Sequence, residues 1–258
     1  MGFLFDGTND YVALADHAAL TLPDGDWTVA GWVKLTSSAG ASDRFPIRHD
    51  RITGDGYEIR ITTDGVNADE VSFIVQSDNG TFMSEISTSS PFAANTDWTH
   101  LALERSGDTV SLYVNNISVA SATNASLNAV NPDENLYLGN RDNADANLNG
   151  SLAEWAKWDR ALSTEERAAL LKGYAPSFFP NSLAWYVPMV RDYVEVRSGI
   201  TVTNNGSAVA AHPPIIYPSG PYIIQAPSAE AGETFEFAGS QTVSFDGSVS
   251  MVQPAALT

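Results

Sequence analysis

The sequence predicts an all-β protein: a two-sheet antiparallel β-sandwich with one short helix and a C-terminal arm. Hydrophobic residues make up 43% of the 258 residues, but charged residues only 17%. Short segments that alternate apolar and polar residues are separated by turns rich in Asp, Asn and Gly, which is the pattern of strands joined by hairpins. The length suits one large sandwich.

Residues 97–123 are the clearest of these segments, and we interpret them as a three-stranded antiparallel meander. Leu101 and Leu103 fall on one face of a strand, and two further alternating runs follow. The last two strands meet at Asn115 and Asn116. Asparagine tolerates the positive φ angles that a two-residue hairpin loop requires.

Before the meander, residues 3–14 predict a strand, a turn and a strand. Residues 27–35 (WTVAGWVKL) are apolar on both faces, which predicts a central strand covered on both sides. Two further strands are expected at 57–61 and 71–75.

After the meander, strands are expected at 136–138, 151–158 and 183–187, with one or two more between 193 and 211. In SLAEWAKW (151–158), period two places Leu152 and Trp158 on the face opposite Trp155. Ser163 and Glu166 have the spacing of a capping box and predict a helix that ends near Gly173.

The amino-acid composition of the chain changes after residue 212. Five of the 13 prolines lie between 213 and 227, and proline disfavours central strands. We therefore predict a sandwich over 1–212 and a Pro-rich arm or small β appendage over 213–258. Phe235, Phe237, Val243 and Phe245 would lie in at most two strands.

The charge balance restricts the partners. Asp and Glu number 31 against 13 Lys and Arg, a formal net charge of −18. A nucleic-acid partner is not expected because it would need basic patches, and an anionic membrane is equally unsuited. No segment approaches the ~20 apolar residues of a membrane-spanning helix. The first residues lack the basic and apolar regions of a signal peptide, and no cysteine is present.

Six segments in a fixed order carry a family resemblance. They are FDGTNDYV (5–12), WTVAGWVKL (27–35), GYEIRITTDG (56–65), DWTHLALERSGDTVSLYVNN (97–116), LYLGN (136–140) and NGSLAEWAKWDRALSTEE (149–166). This order resembles the laminin-G-like, concanavalin A-like jelly-roll family over about residues 3–172. The continuation LAWYVPM…HPPI resembles laminin-G-containing proteins of tailed bacteriophages. The fold hosts lectins, glycosidases, adhesion modules and virion proteins, so it implies no single function.

Catalytic motifs are missing. The glycosidases of this family carry E-x-D-x-x-E on a strand, and this string does not occur. The nearest pairs, Asp69–Glu70 and Glu154…Asp159, have the wrong parity or spacing for paired carboxylates. The four histidines match no nucleophilic triad or metal pair, and His100 is expected to be structural. We therefore predict a protein that is not an enzyme.

Calcium is the best supported cofactor. Asp145, Asn147 and Asn149, followed by Gly150, match the first half of an EF-hand loop, but the twelfth position is Ala156 instead of the bidentate Glu. The resemblance adds Asp6, Asp10 and Glu154, although Ala153 replaces the aspartate that commonly precedes this glutamate. The predicted ligands are Asp6, Asp10, Asp145, Asn147, Asn149 and Glu154. In the alternative, these side chains cap backbone groups of a turn.

Aromatic residues are the candidates for contacts with a ligand or partner. The resemblance places Trp27 and Trp98 at core positions. Trp32 and Trp155 have the opposite parity and are predicted to be exposed. Tyr217 and Tyr222 of the arm complete the set.

The sequence and the family resemblance lead us to two candidate functions. The first is a non-enzymatic virion structural protein, either a capsid decoration (cement) or a fibre-associated subunit, that displays the sandwich on the capsid exterior of a tailed phage. Its partners would be the major capsid protein and further copies of the chain, with the arm folding onto a neighbour. The alternative is a calcium-dependent carbohydrate-binding module of a bacterial surface or secreted protein, which would be extracellular and bind a glycan.

Overall fold

The structure is a computed structural model that describes residues 2–36, 43–49, 54–62, 70–87, 97–140, 147–190 and 192–218, together with the backbone of 234–237 and 241–244. Its contacts divide the chain into two compact units, Met1–Pro218 and Ser219–Thr258. The first unit is an all-β sandwich of two antiparallel sheets with one short α-helix. The predicted fold class is therefore confirmed.

The described part of the first unit contains fifteen strands. In chain order they are β1 (Gly2–Asp6), β2 (Tyr11–Leu14), β3 (Trp27–Leu35), β4 (Arg44–His49), β5 (Gly56–Ile61), β6 (Val71–Gln76), β7 (Phe82–Ile86), β8 (Thr99–Ser106), β9 (Thr109–Val114), β10 (Ile117–Thr123), β11 (Leu136–Leu138), β12 (Asn149–Trp158), β13 (Leu183–Val187), β14 (Val202–Asn205) and β15 (Ala208–Ala210).

One sheet has eight strands in the order β10-β9-β8-β3-β12-β1-β15, with β13 also paired to β12. The other has seven, in the order β14-β2-β11-β4-β5-β6-β7. The main core lies between the sheets and includes Phe3, Phe5, Trp27, Phe73 and Trp185. Strand β3 is central, as predicted, since β8 and β12 flank it. Trp27, only 1% exposed, is a core residue.

The meander is β8, β9 and β10, paired in that order, so this prediction is confirmed. Asn115 and Asn116 have φ angles of 49° and 64°, which are the positive values required by a tight hairpin. Leu101 and Leu103 point into the core between the sheets.

Helix α1 (Thr164–Leu171) begins at the predicted capping box. The Ser163 side chain accepts a hydrogen bond from the Glu166 backbone, and the Glu166 side chain accepts one from the Ser163 backbone. The helix packs on the eight-stranded sheet through Arg167, which donates to both carboxylate oxygens of Glu104 at 2.7 and 2.8 Å. Since eight residues are marginal as an isolated helix, this docking stabilises it.

Strand β12 contains a β-bulge that overturns one prediction. The register shifts between Ala153 and Ala156, and Glu154 has a φ angle of +58°. A bulge inserts one residue and reverses the alternation beyond it. Trp155 therefore shares the main core with Leu152 and is fully buried, so the prediction that it is exposed was wrong.

Trp32 is also buried, with 8% exposure, which corrects the second aromatic prediction. Its parity does place it on the face of β3 opposite Val33, which is part of the main core. That face is covered, because the ring of His100 on the neighbouring strand packs edge-on against Trp32 with 5.2 Å between ring centroids. In a central strand, neighbours on both sides can cover an outward ring.

The second unit contains an antiparallel strand pair, β16 (Thr234–Phe237) and β17 (Gln241–Ser244). Phe235, Phe237 and Val243 lie within these strands, and Phe245 lies outside the described residues. Among the described residues of both units, no helix has the length and apolar character needed to cross a membrane.

Candidate functional site

Four of the six predicted metal ligands lie together at one end of the sandwich. Asp6 ends β1 and is the register partner of Asn149 on β12. The Thr8 backbone amide donates to Asp6 Oδ1 at 2.7 Å, and the Asp6 amide donates to Asp10 Oδ2 at 2.9 Å. Asn147 donates through Nδ2 to the Thr8 carbonyl oxygen. We call Asp6, Thr8, Asp10, Asn147 and Asn149 the loop-end group.

The turn between β1 and β2 forms this group because Asp, Gly and Asn satisfy its backbone locally. Gly7 has a φ angle of +80°, and the two aspartates accept the turn amides. A third segment closes the group, since Asn205 Nδ2 donates to the Asn9 carbonyl oxygen at 3.2 Å.

The described part of the loop-end group contains two carboxylates, Asp6 and Asp10. Among the described residues, no cluster of three or more His, Cys, Asp or Glu could hold a metal ion. Asp6 and Asp10 both accept backbone amides, as in the turn-capping alternative. Asp145 lies outside the described residues. Calcium binding therefore stays a prediction, and it depends on Asp145.

Glu154 is separated from this group by the bulge in β12. Its Oε2 accepts a hydrogen bond from Tyr186 Oη at 2.5 Å, and its Oε1 accepts one from Tyr217 Oη at 2.6 Å. His212 Nε2 lies 3.1 Å from the same Oε1. Burial, reinforced by the Glu154 charge, raises the pKa of Tyr186. Glu154 therefore belongs to a different, tyrosine-lined cluster.

Tyr217 was predicted to contact a ligand or partner. Its hydroxyl is hydrogen-bonded to Glu154 of the sandwich, although the residue is 37% exposed. Tyr222 lies outside the described residues. Residues beyond 212 remain part of the first unit, because the Ile216 amide donates to the Gly173 carbonyl oxygen at 2.7 Å and the Ala175 amide donates to the Ile216 carbonyl oxygen at 2.9 Å.

The outer face of the seven-stranded sheet carries polar and aromatic side chains that were not singled out in the sequence. Tyr57, Ile59 and Ile61 of β5 point into the core, so Glu58 and Arg60 point outward. The alternation of inward and outward residues is visible in GYEIRI, but the outward-pointing residues were not predicted to be functional. The ion pair Arg60–Asp43 has an N–O distance of 3.0 Å, and each side chain is 30% exposed.

Further along this face, Tyr137, Arg48 and Glu58 are neighbours on β11, β4 and β5. Arg48 Nη1 lies 3.8 Å from Glu58 Oε2, with both side chains buried. The rings of Tyr11 and Tyr137 meet edge to face with centroids 5.6 Å apart. Half-buried tyrosines beside paired charges offer ring faces and hydrogen-bonding groups to a polar ligand.

A family model covers most of the sandwich. Residues 6–166 match Laminin_G_3, which is described as the concanavalin A-like lectin/glucanases superfamily. The chain belongs to this superfamily. The resemblance carried by the six ordered segments is confirmed, and the superfamily's lectin-like sandwich is the fold described above. The search of curated protein sequences found no match.

Solved structures with this superfamily's fold are similar at low sequence identity. A Bacteroides ovatus protein with provisionally assigned carbohydrate binding has 16% identity and a TM-score of 0.57 over 81% of this chain and 61% of its own. The receptor-binding domain of botulinum neurotoxin D has 17% identity and a TM-score of 0.51 over 65% and 42%. A heptameric SAP-like pentraxin from Limulus polyphemus has 14% identity and a TM-score of 0.52 over 80% and 95%. The chain therefore spans less than two thirds of the first two structures.

Proposed function

We propose that this chain is a lectin-type module that binds carbohydrate without catalysis, through the outer face of its seven-stranded sheet. The observation that carries the proposal is that this one face presents both the Tyr11–Tyr137 pair and the partly exposed Arg60–Asp43 pair. Sugar rings offer apolar faces for aromatic contact and hydroxyl groups for charged side chains.

Two further observations support the proposal. The superfamily contains lectins by its description, and one similar structure is a protein with provisionally assigned carbohydrate binding. Binding without catalysis is supported by the whole sequence, which has no E-x-D-x-x-E string.

A glycan array with the purified chain tests the proposal. We expect binding to a restricted set of glycans that decreases at least about tenfold in Tyr11→Ala and Arg60→Gln, the loss expected for one ring contact or one charge-assisted hydrogen bond. Tyr174→Ala is the matched control, because Tyr174 is exposed but follows the helix on the other sheet. Binding that both variants retain would overturn the site, and an array without binding would overturn the function.

The same array in EDTA and in added calcium tests the predicted cofactor. If Asp145 and the loop-end group hold calcium that positions the neighbouring Tyr11 of the sugar-binding face, EDTA lowers glycan binding and calcium restores it. Binding that EDTA leaves unchanged would contradict the calcium prediction while leaving the sugar-binding face intact.

A second candidate is a structural subunit on the surface of a tailed phage particle, attached to the capsid protein or to other copies of the chain. The observation that favours it is the division of the chain at Pro218 and Ser219. In this candidate the first unit is displayed and the second unit attaches the chain to the particle.

Removal of residues 219–258 tests this second candidate. Since 213–218 belong to the sandwich unit, the cut belongs after Pro218. We expect a folded protein that no longer associates with purified particles or with itself, as measured by mass spectrometry of particles and by light scattering. Unchanged association, or absence of the full chain from particles, would contradict the candidate.

A further inference from the structure

The sequence contains three Asn-Gly pairs, Asn79-Gly80, Asn149-Gly150 and Asn205-Gly206. In such a pair the glycine nitrogen can attack the amide carbon of the asparagine side chain, because glycine has no Cβ atom to shield its backbone. The reaction requires an asparagine side chain that can move and a glycine amide that is not held in a hydrogen bond. The structure places the three pairs in different surroundings, and these decide which pair can react.

The Asn79-Gly80 pair is held by hydrogen bonds of its own turn. Asn79 Oδ1 accepts from Ser77 Oγ at 2.6 Å and from the Thr81 amide at 3.0 Å, and its Nδ2 donates to the Ser126 carbonyl oxygen at 2.9 Å. The Gly80 amide donates to the Ser77 carbonyl oxygen at 2.8 Å. These hydrogen bonds oppose the approach of the Gly80 nitrogen to the Asn79 side chain.

The Asn149-Gly150 pair lies within the eight-stranded sheet. Both residues belong to β12, which pairs there with β1 and β3, and Gly150 is buried. A Cβ atom at Gly150 would lie 2.3 Å from the Lys34 carbonyl oxygen, so the neighbouring strand leaves no room for a ring to form at this backbone. We expect this pair to be unreactive in the folded protein.

The Asn205-Gly206 pair is different, because it lies where β14 ends and the turn toward β15 begins, and both residues are exposed. Among the described hydrogen bonds, none uses the Gly206 amide. The Asn205 side chain makes one, in which its Nδ2 donates to the Asn9 carbonyl oxygen at 3.2 Å. Of the three pairs, this one therefore meets both requirements of the reaction.

We propose that Asn205 is a site of spontaneous deamidation. The Gly206 nitrogen bonds to Asn205 Cγ, the bond from Cγ to Nδ2 breaks, and Nδ2 leaves as ammonia with the proton that the Gly206 nitrogen loses. A five-membered succinimide ring remains, and water then opens it. Opening at Cγ gives aspartate, whereas opening at the backbone carbonyl carbon gives isoaspartate, in which the main chain runs through Cβ and Cγ. Water is the only co-reactant.

The modification changes the place where the two sheets are joined, since β14 pairs with β2 and β15 pairs with β1. When a carboxylate oxygen replaces Nδ2, the donor to the Asn9 carbonyl oxygen becomes a second acceptor facing it. Isoaspartate also lengthens the main chain beside Gly206, where a Cβ atom would lie 2.0 Å from Asp10 Oδ1. Deamidation therefore releases this connection from the turn between β1 and β2, an irreversible change that goes beyond sugar binding.

Peptide mapping by mass spectrometry, after prolonged incubation of the full chain at pH 8, tests the site. We expect Asn205 to react about tenfold faster than Asn79, the factor that corresponds to one additional hydrogen bond broken before reaction. Asn149 should remain unmodified. A free peptide with the sequence of residues 203–208 shows that the conditions suffice. Modification of Asn79 before Asn205, or an intact Asn205 after the peptide has reacted, would overturn the proposal.

Urea unfolding of two variants tests the consequence. Asn205→Asp reproduces the aspartate product and should lower the folding equilibrium constant about tenfold, because a donor becomes an acceptor opposite the Asn9 carbonyl oxygen. Asn181→Asp is the matched control, since Asn181 is exposed and its side chain makes no hydrogen bond to the described residues. An Asn205→Asp variant as stable as this control would show that deamidation does not release the connection.

Discussion

At the residue scale, the sandwich buries polar side chains and gives each of them a defined set of partners. Lys157 is 1% exposed and donates to the Ala19 carbonyl oxygen at 2.9 Å while pairing with Asp159 at 2.6 Å. Burial lowers the pKa of Lys157, and Asp159 opposes that shift. Such groups cost stability when a partner is removed, because the remaining group is left buried and unsatisfied.

Glu195 is the buried polar side chain with the most backbone partners among the described residues. Its carboxylate accepts backbone amides of Tyr186, Arg197, Ser198 and Gly199 at 2.6–2.9 Å. We expect Glu195→Ala to lower the free energy of unfolding by about 3 kcal/mol, because several amides lose a charged acceptor. Urea unfolding measures the change. Asp192→Asn, at an exposed position of the same loop, should change the free energy little, and an equal loss in both would contradict this role.

His100 makes the free energy of unfolding depend on pH, and the direction of the change follows from its burial. Burial lowers its folded-state pKa to about 3, whereas histidine in an unfolded chain has a pKa of about 6.5. Below pH 6.5 the unfolded chain therefore binds a proton that the folded chain excludes, and stability falls as the pH falls. Between pH 7 and 5 we expect this residue to account for a loss of about 2 kcal/mol.

The measurement compares urea unfolding at pH 7 and 5 in the unaltered chain and in His100→Gln. The variant should lose about 2 kcal/mol less on acidification. If the His100 variant loses as much stability on acidification as the unaltered chain, the histidine is not kept neutral by burial.

At the element scale, alternation and capping predicted the elements well where nothing interrupts them. The meander and the capping box of α1 were visible because each depends on residues close in sequence. The bulge at Glu154 was not visible, since it arises where β12 changes partner, from β1 through Leu152 to β13 from Trp155 onward. Beyond that point, the two faces of the strand are therefore exchanged relative to those predicted by strict alternation. Trp155 is in the core for this reason.

The bulge in β12 places the Trp155 ring directly against Gly31 of β3. A Cβ atom at Gly31 would lie 2.3 Å from Trp155 Cδ2, so the ring packs directly on the backbone. We expect Gly31→Ala to destabilise the fold by about 1–3 kcal/mol through overpacking, as measured by thermal or urea unfolding. Gly25→Ala is the matched control, because a Cβ there meets nothing within 4 Å. A neutral Gly31→Ala would contradict this packing.

At the scale of the whole molecule, the order of the segments identified the fold better than it identified the site. Six ordered motifs suffice for a jelly roll, since core positions are fixed by alternation and turns. The site depends on which strands become neighbours, and this is not a local property. Tyr11 and Tyr137 meet only because β2 pairs with β11. Glu154 fitted a ligand motif, yet its neighbours are tyrosines and a histidine from later segments.

The connection between β14 and β15 joins the two sheets, since β14 pairs with β2 in one and β15 pairs with β1 in the other. A Cβ at Gly206, in its turn, would lie 2.0 Å from Asp10 Oδ1. We expect Gly206→Ala to destabilise the sandwich by about 1–3 kcal/mol more than Gly199→Ala. Both glycines have positive φ angles, and a Cβ at Gly199 meets nothing within 4 Å. Equal unfolding free energies of the two variants would show that this contact contributes nothing.

The placement of β1 and β2 also has a consequence for synthesis. Strand β1 lies between β12 and β15, and β2 lies between β11 and β14, so every partner of the first two strands lies beyond residue 135. A nascent chain emerging from the ribosome therefore presents the apolar strand GFLFD long before anything can pair with it. Such exposed strands attract chaperones or other chains. The sandwich closes only when residues 202–210 have emerged, so its folding is late relative to the synthesis of β1 and β2.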